Sequence, residues 1–275
     1  MYHGDNLNAN FIIGKSLLVV PALDYNEQQK VRVYLPNENW YHFTDYSLVS
    51  QFDPEKKLGK TVQLDADLEN VNLLIRGGSI VPFQNTATVL STKDLMDVPM
   101  TLIIAPDGQG RAEGSLIYAH DWHGSPYFEF AYGNNVLKVI SSKDLGHKII
   151  YKYDKFTNLY ILGKPTAPKI SKACLFDKTM LSQYLKVDEK ENYTIIGEHD
   201  RPLNSWREIE SIVLIRENDV DICDPNIKLI NPVFSYYNFK MSASLKTMNS
   251  PQQQIYNWTV TLLDRQCDRN ENITI

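Results

Sequence analysis

A chain of 275 residues with 43% hydrophobic and 22% charged side chains can bury a sizeable core and is too apolar to stay disordered. Its 28 Lys+Arg against 33 Asp+Glu leave no basic surplus, which argues against a nucleic-acid partner. No apolar run reaches the length that spans a bilayer; the longest, such as Ser16 to Leu23, are strand-sized. In chain order, Phe11 to Gly14 and then Ser16 to Pro21 read as a buried strand too short to be a domain, the last edge of something that precedes Met1. Val31-Arg-Val-Tyr-Leu35 alternates apolar and polar residues until Pro36 stops it. Val71 to Ile75 runs into Arg76-Gly77-Gly78 and re-emerges as Ser79 to Pro82; the paired glycines predict a tight reversal. Gln84 to Val98 is polar and rich in Thr and Ser, and is the expected domain boundary.

Beyond it, strands are expected at Met100 to Ala105, Ser115 to Ala119, Tyr127 to Tyr132, Val136 to Ser141 and Lys148 to Tyr153. Others follow at Leu159 to Leu162, Tyr193 to Ile196, Ser211 to Ile215 and Ile255 to Leu263. Asp177 to Leu185 is the segment expected to form a short helix. The reading is an all-β chain, two β-sandwich domains in tandem, with 1–28 as a terminal remnant, 29–97 as the first sandwich and 98–275 as the second.

Cys174, Cys223 and Cys267 are too sparse for a disulfide framework and lack zinc-ligand spacing. One disulfide with a free thiol, or three buried thiols, both fit. Asn192-Tyr-Thr194, Asn257-Trp-Thr259 and Asn272-Ile-Thr274 are glycosylation-type triplets that also arise by chance. The first residues have no basic cluster followed by an apolar core, so they are not read as a signal peptide. If the triplets are used, a signal must lie on sequence ahead of Met1.

The first eighty residues resemble the end of a family 31 glycoside hydrolase, the α-glucosidase-like family in which a catalytic (β/α) barrel is followed by proximal and distal C-terminal β-sandwiches. Phe11, Gly14, Leu17, Leu18, Val19 and Pro21 fit the segment that closes the barrel. Val31, Val33, Tyr34, Leu35, Pro36, Trp40 and Tyr41 fit the next strand and its Trp-Tyr pair. Arg76, Gly78, Ser79, Ile80, Val81 and Pro82 fit a third block. Past Pro99 the match is looser, and His120-Asp121-Trp122 stands where the family usually has Asp-Asp-Gly. The resemblance implies 1–28 as the end of the barrel, 29–97 as the proximal and 98–275 as the distal sandwich. It also implies a catalytic barrel as partner and the secretory pathway, lysosome or extracellular space as location.

Retaining glycosidases need two carboxyl groups about 5 Å apart. The resemblance places both on barrel aspartates, one in a Trp-x-Asp-Met-Asn-Glu-like strand, and no such motif occurs in the 275 residues. No catalytic residue, cofactor or metal is therefore assigned, and the chain is read as non-catalytic. Asp65, Asp67 and Glu69, and Asp121 near Glu129, read as solvated carboxylates. His120 and His123 are too few for a metal site. The alternative is a free-standing carbohydrate-binding or protein-interaction module. Of the aromatic clusters, Trp40-Tyr41 is expected in the core. Tyr236-Tyr237 remains an unassigned candidate, and Trp122 and Tyr127 are the candidates for stacking on a sugar such as an α-glucan.

Overall fold

The computed structural model describes residues 10–22, 30–65, 71–87, 89–95, 98–117, 127–141, 156–164, 169–177, 182–197, 209–217, 219 and 221–223. The elements of the first part are β1 (Phe11–Ile13), β2 (Leu17–Val20), β3 (Lys30–Leu35), β4 (Trp40–His42), β5 (Leu48–Ser50), β6 (Lys60–Asp65), β7 (Asn72–Arg76) and β8 (Ser79–Phe83). A single helical turn, α1 (Thr92–Leu95), interrupts the polar linker. The later strands are β9 (Met100–Ala105), β10 (Ala112–Ile117), β11 (Tyr127–Gly133), β12 (Val136–Ser141) and β13 (Phe156–Leu162). They end with β14 (Ile170–Asp177), β15 (Ser182–Glu189), β16 (Tyr193–Gly197) and β17 (Ile209–Arg216). The described chain is all-β apart from that one turn.

Five strands form the first sheet in the order β1-β2-β7-β4-β5, and β3 pairs with β6 in a separate ribbon. The alternation read in β3 decides how the two meet. Val31, Val33 and Leu35 are buried, and they pack on Leu18, Val20, Trp40 and Leu74 of the five-stranded sheet. Each such side chain contributes on the order of 2 kcal/mol when removed from water. Trp40 is 2% exposed and its indole Nε1 donates to the Pro36 carbonyl at 3.2 Å, so its one polar atom is satisfied inside the core.

The remaining ten strands hydrogen-bond in the order β10-β11-β12-β17-β14-β15-β16-β13-β9-β8, closed by one parallel pair, Glu113 with Ser79. Their inward residues build one core, centred on Leu102, Phe128, Phe130, Leu137, Leu159 and Ile212. Asn134 and Asn135 both have positive φ, 49° and 62°, and join β11 to β12 in two residues. That is the mirror-image turn whose twist matches a right-handed hairpin, and Asn tolerates it better than other side chains.

Strand β9 explains how the two units join. Met100–Ala105 is a continuous apolar run and every residue of it is buried. Leu102 and Ile104 face the ten-stranded core, while Ile103 and Ala105 face Tyr41, Ile75 and Leu162 in a second cluster. A strand covered on both faces has no polar side to show, hence no alternation. The seam is pinned by polar groups as well. The Tyr41 hydroxyl donates to the Pro106 carbonyl at 2.8 Å, and Asn39 Nδ2 donates to the same oxygen at 3.1 Å. Tyr46, Tyr160 and Tyr193 close one end, with ring centroids 5.0–5.6 Å apart.

Burial pushes the Tyr41 hydroxyl up to about 12, opposed by the Asn39 hydrogen bond and helped by the Asp107 charge; burial also pushes Tyr46 up to about 12. A folded-state value above the unfolded value of about 10 gives stability that is complete below pH 10 and is lost as pH rises toward 12. The chain is expected to lose on the order of 2 kcal/mol through Tyr41 over that interval. Tyr41→Phe should remove that share of the alkaline loss while costing about 1 kcal/mol at pH 8 through the missing hydrogen bond. Urea unfolding of both proteins at pH 8 and pH 11.5 measures this; equal alkaline losses in the two proteins would contradict it.

Two local expectations are corrected. Asp177 and Ser182 to Leu185 are strand, not helix: β14 runs to Asp177 and β15 starts at Ser182, and the two strands pair with each other. Tertiary pairing on both sides of β15 overrides the weak local helical pattern. The Gly77-Gly78 pair does not close a hairpin either. It hands the chain from β7 in the first sheet to β8, which pairs with β9 and β10. Only Gly78 has positive φ, 86°. Gly77 is required for close approach, since a Cβ there would lie 2.7 Å from Asn39 Cβ. β8 pairs with β9 across the linker that follows it.

Candidate functional site

The surface feature that stands out is the outer edge of the first sheet. β1 and β2 form a hairpin through Gly14, whose φ is 63°. The buried residues Leu18, Val19 and Val20 anchor β2 in the sheet, whereas Phe11, Ile12 and Ile13 of β1 are 54%, 54% and 53% exposed. The strand expected to be buried is thus buried only in its second half. Three consecutive apolar side chains on an edge strand form the kind of template that folded monomers otherwise cover or charge.

The residues that carry the other sequence blocks lie behind this edge. Arg76, at the end of β7, donates through Nε and Nη2 to the two carboxylate oxygens of Glu38. Its backbone N–H donates to the Ser16 carbonyl at 2.8 Å, tying the third block to the β1–β2 hairpin. Ile80 belongs to the ten-stranded core. The three blocks therefore shape the first sheet and its seam.

No pair of carboxylates comes together around a pocket at the positions singled out in the sequence and described here. Asp65 ends β6 fully in solvent, 4.0 Å from Lys30. Glu129 lies in β11. Asp67, Glu69, His120, Asp121, Trp122 and His123 lie outside the described residues, as do Tyr236, Tyr237, Asn257, Cys267 and Asn272. Tyr127 opens β11. Trp40 and Tyr41 are core residues, as expected, and Phe128 stacks on Phe130 with centroids 6.5 Å apart inside the core. Among the described residues no three His, Cys, Asp or Glu side chains come together in a way that could hold a metal ion. Nor is any described helix long and apolar enough to cross a membrane.

The strongest electrostatic perturbation is at Lys138 in β12, where burial pushes the ammonium down to about 7 against the opposing pull of Glu210. A lowered lysine can serve as a base, but acid–base chemistry also needs a substrate cavity beside it. The described open depression lies elsewhere, on β14 and β15, lined by Ser171, Lys172, Tyr184 and Lys186 among others. Tyr184 there is 45% exposed, but Lys172 Nζ sits 5.3 Å over its ring. That cation occupies one of the faces a pyranose would use.

Sequence reasoning missed this corner because its organiser is a pairing that spacing does not reveal. Cys174 and Cys223 form a disulfide with Cα atoms 5.7 Å apart. It clips the segment after β17 over the outer face of β14, burying Phe176, Ile215 and Ile222. Asp221, in the clipped segment, accepts from Lys172 Nζ at 2.5 Å and from the Tyr184 hydroxyl at 2.9 Å. Of the alternatives open for the three cysteines, one disulfide is what forms.

Against known proteins, residues 2–81 match the model of the glycosyl hydrolase family 31 C-terminal domain. Over that stretch the chain is similar to a family 31 C-terminal domain. It is 34% identical over 117 residues to an α-glucosidase of Schizosaccharomyces pombe, covering 40% of this chain and 11% of that protein. It is 29% identical over 171 residues to an uncharacterized family 31 glucosidase of the same yeast, 59% of this chain and 16% of that one. With neutral α-glucosidase AB of Sus scrofa the identity is 30% over 151 residues, 52% of this chain and 15% of that protein. The chain thus spans less than a fifth of each of these relatives. The fold is shared more widely than the sequence. A crystal structure of the glucosidase II α subunit superposes with a TM-score of 0.63 at 20% identity, covering 74% of this chain and 24% of that chain. The family 31 dextranase of Flavobacterium johnsoniae superposes at 0.51 with 18% identity, over 76% of this chain and 27% of that one. The all-β fold of the family 31 region is therefore common to both comparisons, while the catalytic motif expected of a barrel is not found in these 275 residues.

Proposed function

We propose that this chain acts as the non-catalytic C-terminal region of an α-glucosidase-like enzyme, packing on a catalytic (β/α) barrel and stabilising it. In this reading 1–28 is the end of the barrel, 29–97 the proximal sandwich and 98–275 the distal one. The observation that carries it is the exposed apolar edge at Phe11, Ile12 and Ile13, on the segment that matches the family model and in the position where chain leaving a barrel would enter the first sheet. A barrel laid against β1 would cover these side chains; nothing else described on the first sheet does. The substrate class would be an α-glucoside, cleaved by aspartates of the barrel. A regulatory subunit is part of a solved glucosidase II complex that superposes on this chain, and a similar partner here is a secondary expectation. The buried disulfide supports folding in an oxidising compartment, as the secretory pathway would provide.

Co-expression with the catalytic barrel of a family 31 α-glucosidase tests the reading. A stable complex on size exclusion is expected. Retention of the chain on immobilised α-glucan, with no complex formed, would favour the carbohydrate-module alternative and count against this one.

A further inference from the structure

We propose that Asn192 is an N-linked glycosylation site whose glycan stands on the rim of the seam between the two β units. The acceptor triplet Asn192-Tyr193-Thr194 is the one of the three that lies within the described residues. Asn192 sits in the turn between β15 and β16, where Lys190 N–H donates to the Tyr193 carbonyl at 2.8 Å. The Asn192 carbonyl accepts from Gly163 N–H at 2.8 Å, so the backbone is fixed while the side chain stays partly exposed. Its Nδ2 donates to the Asp45 carbonyl at 3.5 Å, the outer limit of a hydrogen bond. A carboxamide nitrogen carries two N–H groups. A glycan replaces one and leaves the other for Asp45, so the modification strands no buried partner.

The transfer balances with one co-reactant, a lipid-pyrophosphate-linked oligosaccharide. A bond forms between Asn192 Nδ2 and the anomeric carbon; the bond from that carbon to the pyrophosphate oxygen breaks; the lipid pyrophosphate leaves; and the Nδ2 proton passes to a base of the transferase. No oxidant or reductant is involved. Thr194 is 4% exposed in the fold, so the triplet must be read before β16 pairs with β13 and β15. The disulfide between Cys174 and Cys223 is an independent sign of the oxidising lumen in which such transfer takes place. Placement is compatible with the proposed docking edge. Asp45 follows β4, which lies three strands from β1 in the first sheet, roughly 14 Å laterally at normal strand spacing.

The test is cell-free translation of the full chain behind a cleavable leader, with endoplasmic-reticulum microsomes, followed by endoglycosidase. The readout is on the nascent chain and does not require the variants to fold. N257Q/N272Q should still show an upward gel shift of one glycan that the endoglycosidase removes, and N192Q/N257Q/N272Q should show none. Identical mobility of the double and triple variants would overturn the proposal. So would peptide mapping of the protein from its own cells that finds Asn192 unmodified throughout.

Discussion

Replacing Cys223 with alanine is expected to destabilise the chain by about 3–4 kcal/mol. The disulfide joins positions 49 residues apart, and closing a loop of that length removes unfolded-state entropy worth about 4 kcal/mol. Native pairing absorbs none of this, because β14 and β17 are held together only in the folded state. Packing adds to the effect: Cys174 and Cys223 are 0% and 3% exposed, and with the clip gone Phe176 and Ile222 lose their cover. What remains to hold the segment is Asp221. Burial alone would raise its carboxyl, but hydrogen bonds from Lys172, Tyr184 and the Cys223 N–H outweigh this and hold it below the usual carboxylate range. Its contribution is therefore present above the ordinary aspartate value and is lost as pH falls through the lowered one. For a unit of this size the cysteine change should lower Tm by roughly 6–16 °C. Thermal unfolding with and without reductant checks it. Reductant should bring the unmodified chain down to the level of Cys223→Ala and leave the variant where it is. A variant as stable as its parent would mean that the clip contributes nothing.

Ile12→Asp is expected to behave in the opposite way, sparing the chain and weakening its assembly. Ile12 is 54% exposed, so the substitution should change the stability of the chain alone by no more than about 0.5 kcal/mol. In the proposed complex the same side chain is buried against the barrel, and an unpaired carboxylate there loses its water with nothing to replace it. Affinity should fall at least 100-fold, about 3 kcal/mol. Leu58→Asp is the control: Leu58 is 70% exposed but lies in the loop before β6, away from the β1 edge, and should affect neither quantity. Equal loss of binding in both variants would show that added negative charge, not the β1 edge, is responsible.

The parts of the fold that were legible in the sequence are those where a side chain's environment repeats along the strand. β3 announced itself by alternation because one face is buried and the other wet, and β9 by its unbroken apolar run because both faces are buried. Strands were expected at Tyr127 to Tyr132 and Val136 to Ser141, and β11 and β12 form there; their pairing through Asn134-Asn135 is seen only in the structure. By contrast β14 and β15 were misread around Asp177 to Leu185. Their identity comes from β16 and β17, partners distant in sequence that no local window contains. The Gly77-Gly78 step was recognised as special but misassigned, since nothing local says that Ser79 joins a different sheet from Arg76.

The candidate site was legible to a similar degree. Phe11 to Pro21 was recognisable as an edge from its apolar content, and the three sequence blocks gave it its resemblance to family 31. That β1 would be left in solvent while β2 is buried depends on sheet order, which follows from pairing with β7. The Cys174–Cys223 partnership and the Lys172–Tyr184–Asp221 cluster could not be chosen from three cysteines and scattered charges, because only the pairing of β14 with β15 and β17 brings them together.

Whether the chain is the non-catalytic partner of a barrel is decided by the initial rate of hydrolysis of a chromogenic α-glucoside, measured for the chain alone, for a family 31 catalytic barrel alone, and for the two mixed at equal concentration. No hydrolysis is expected from the chain, the barrel by itself should be slow or short-lived, and the rate should rise on mixing and fall back when Ile12→Asp replaces the unmodified chain. Hydrolysis by the chain alone, or a barrel whose rate and lifetime are unchanged by adding it, would show that the chain is not the barrel's stabilising partner.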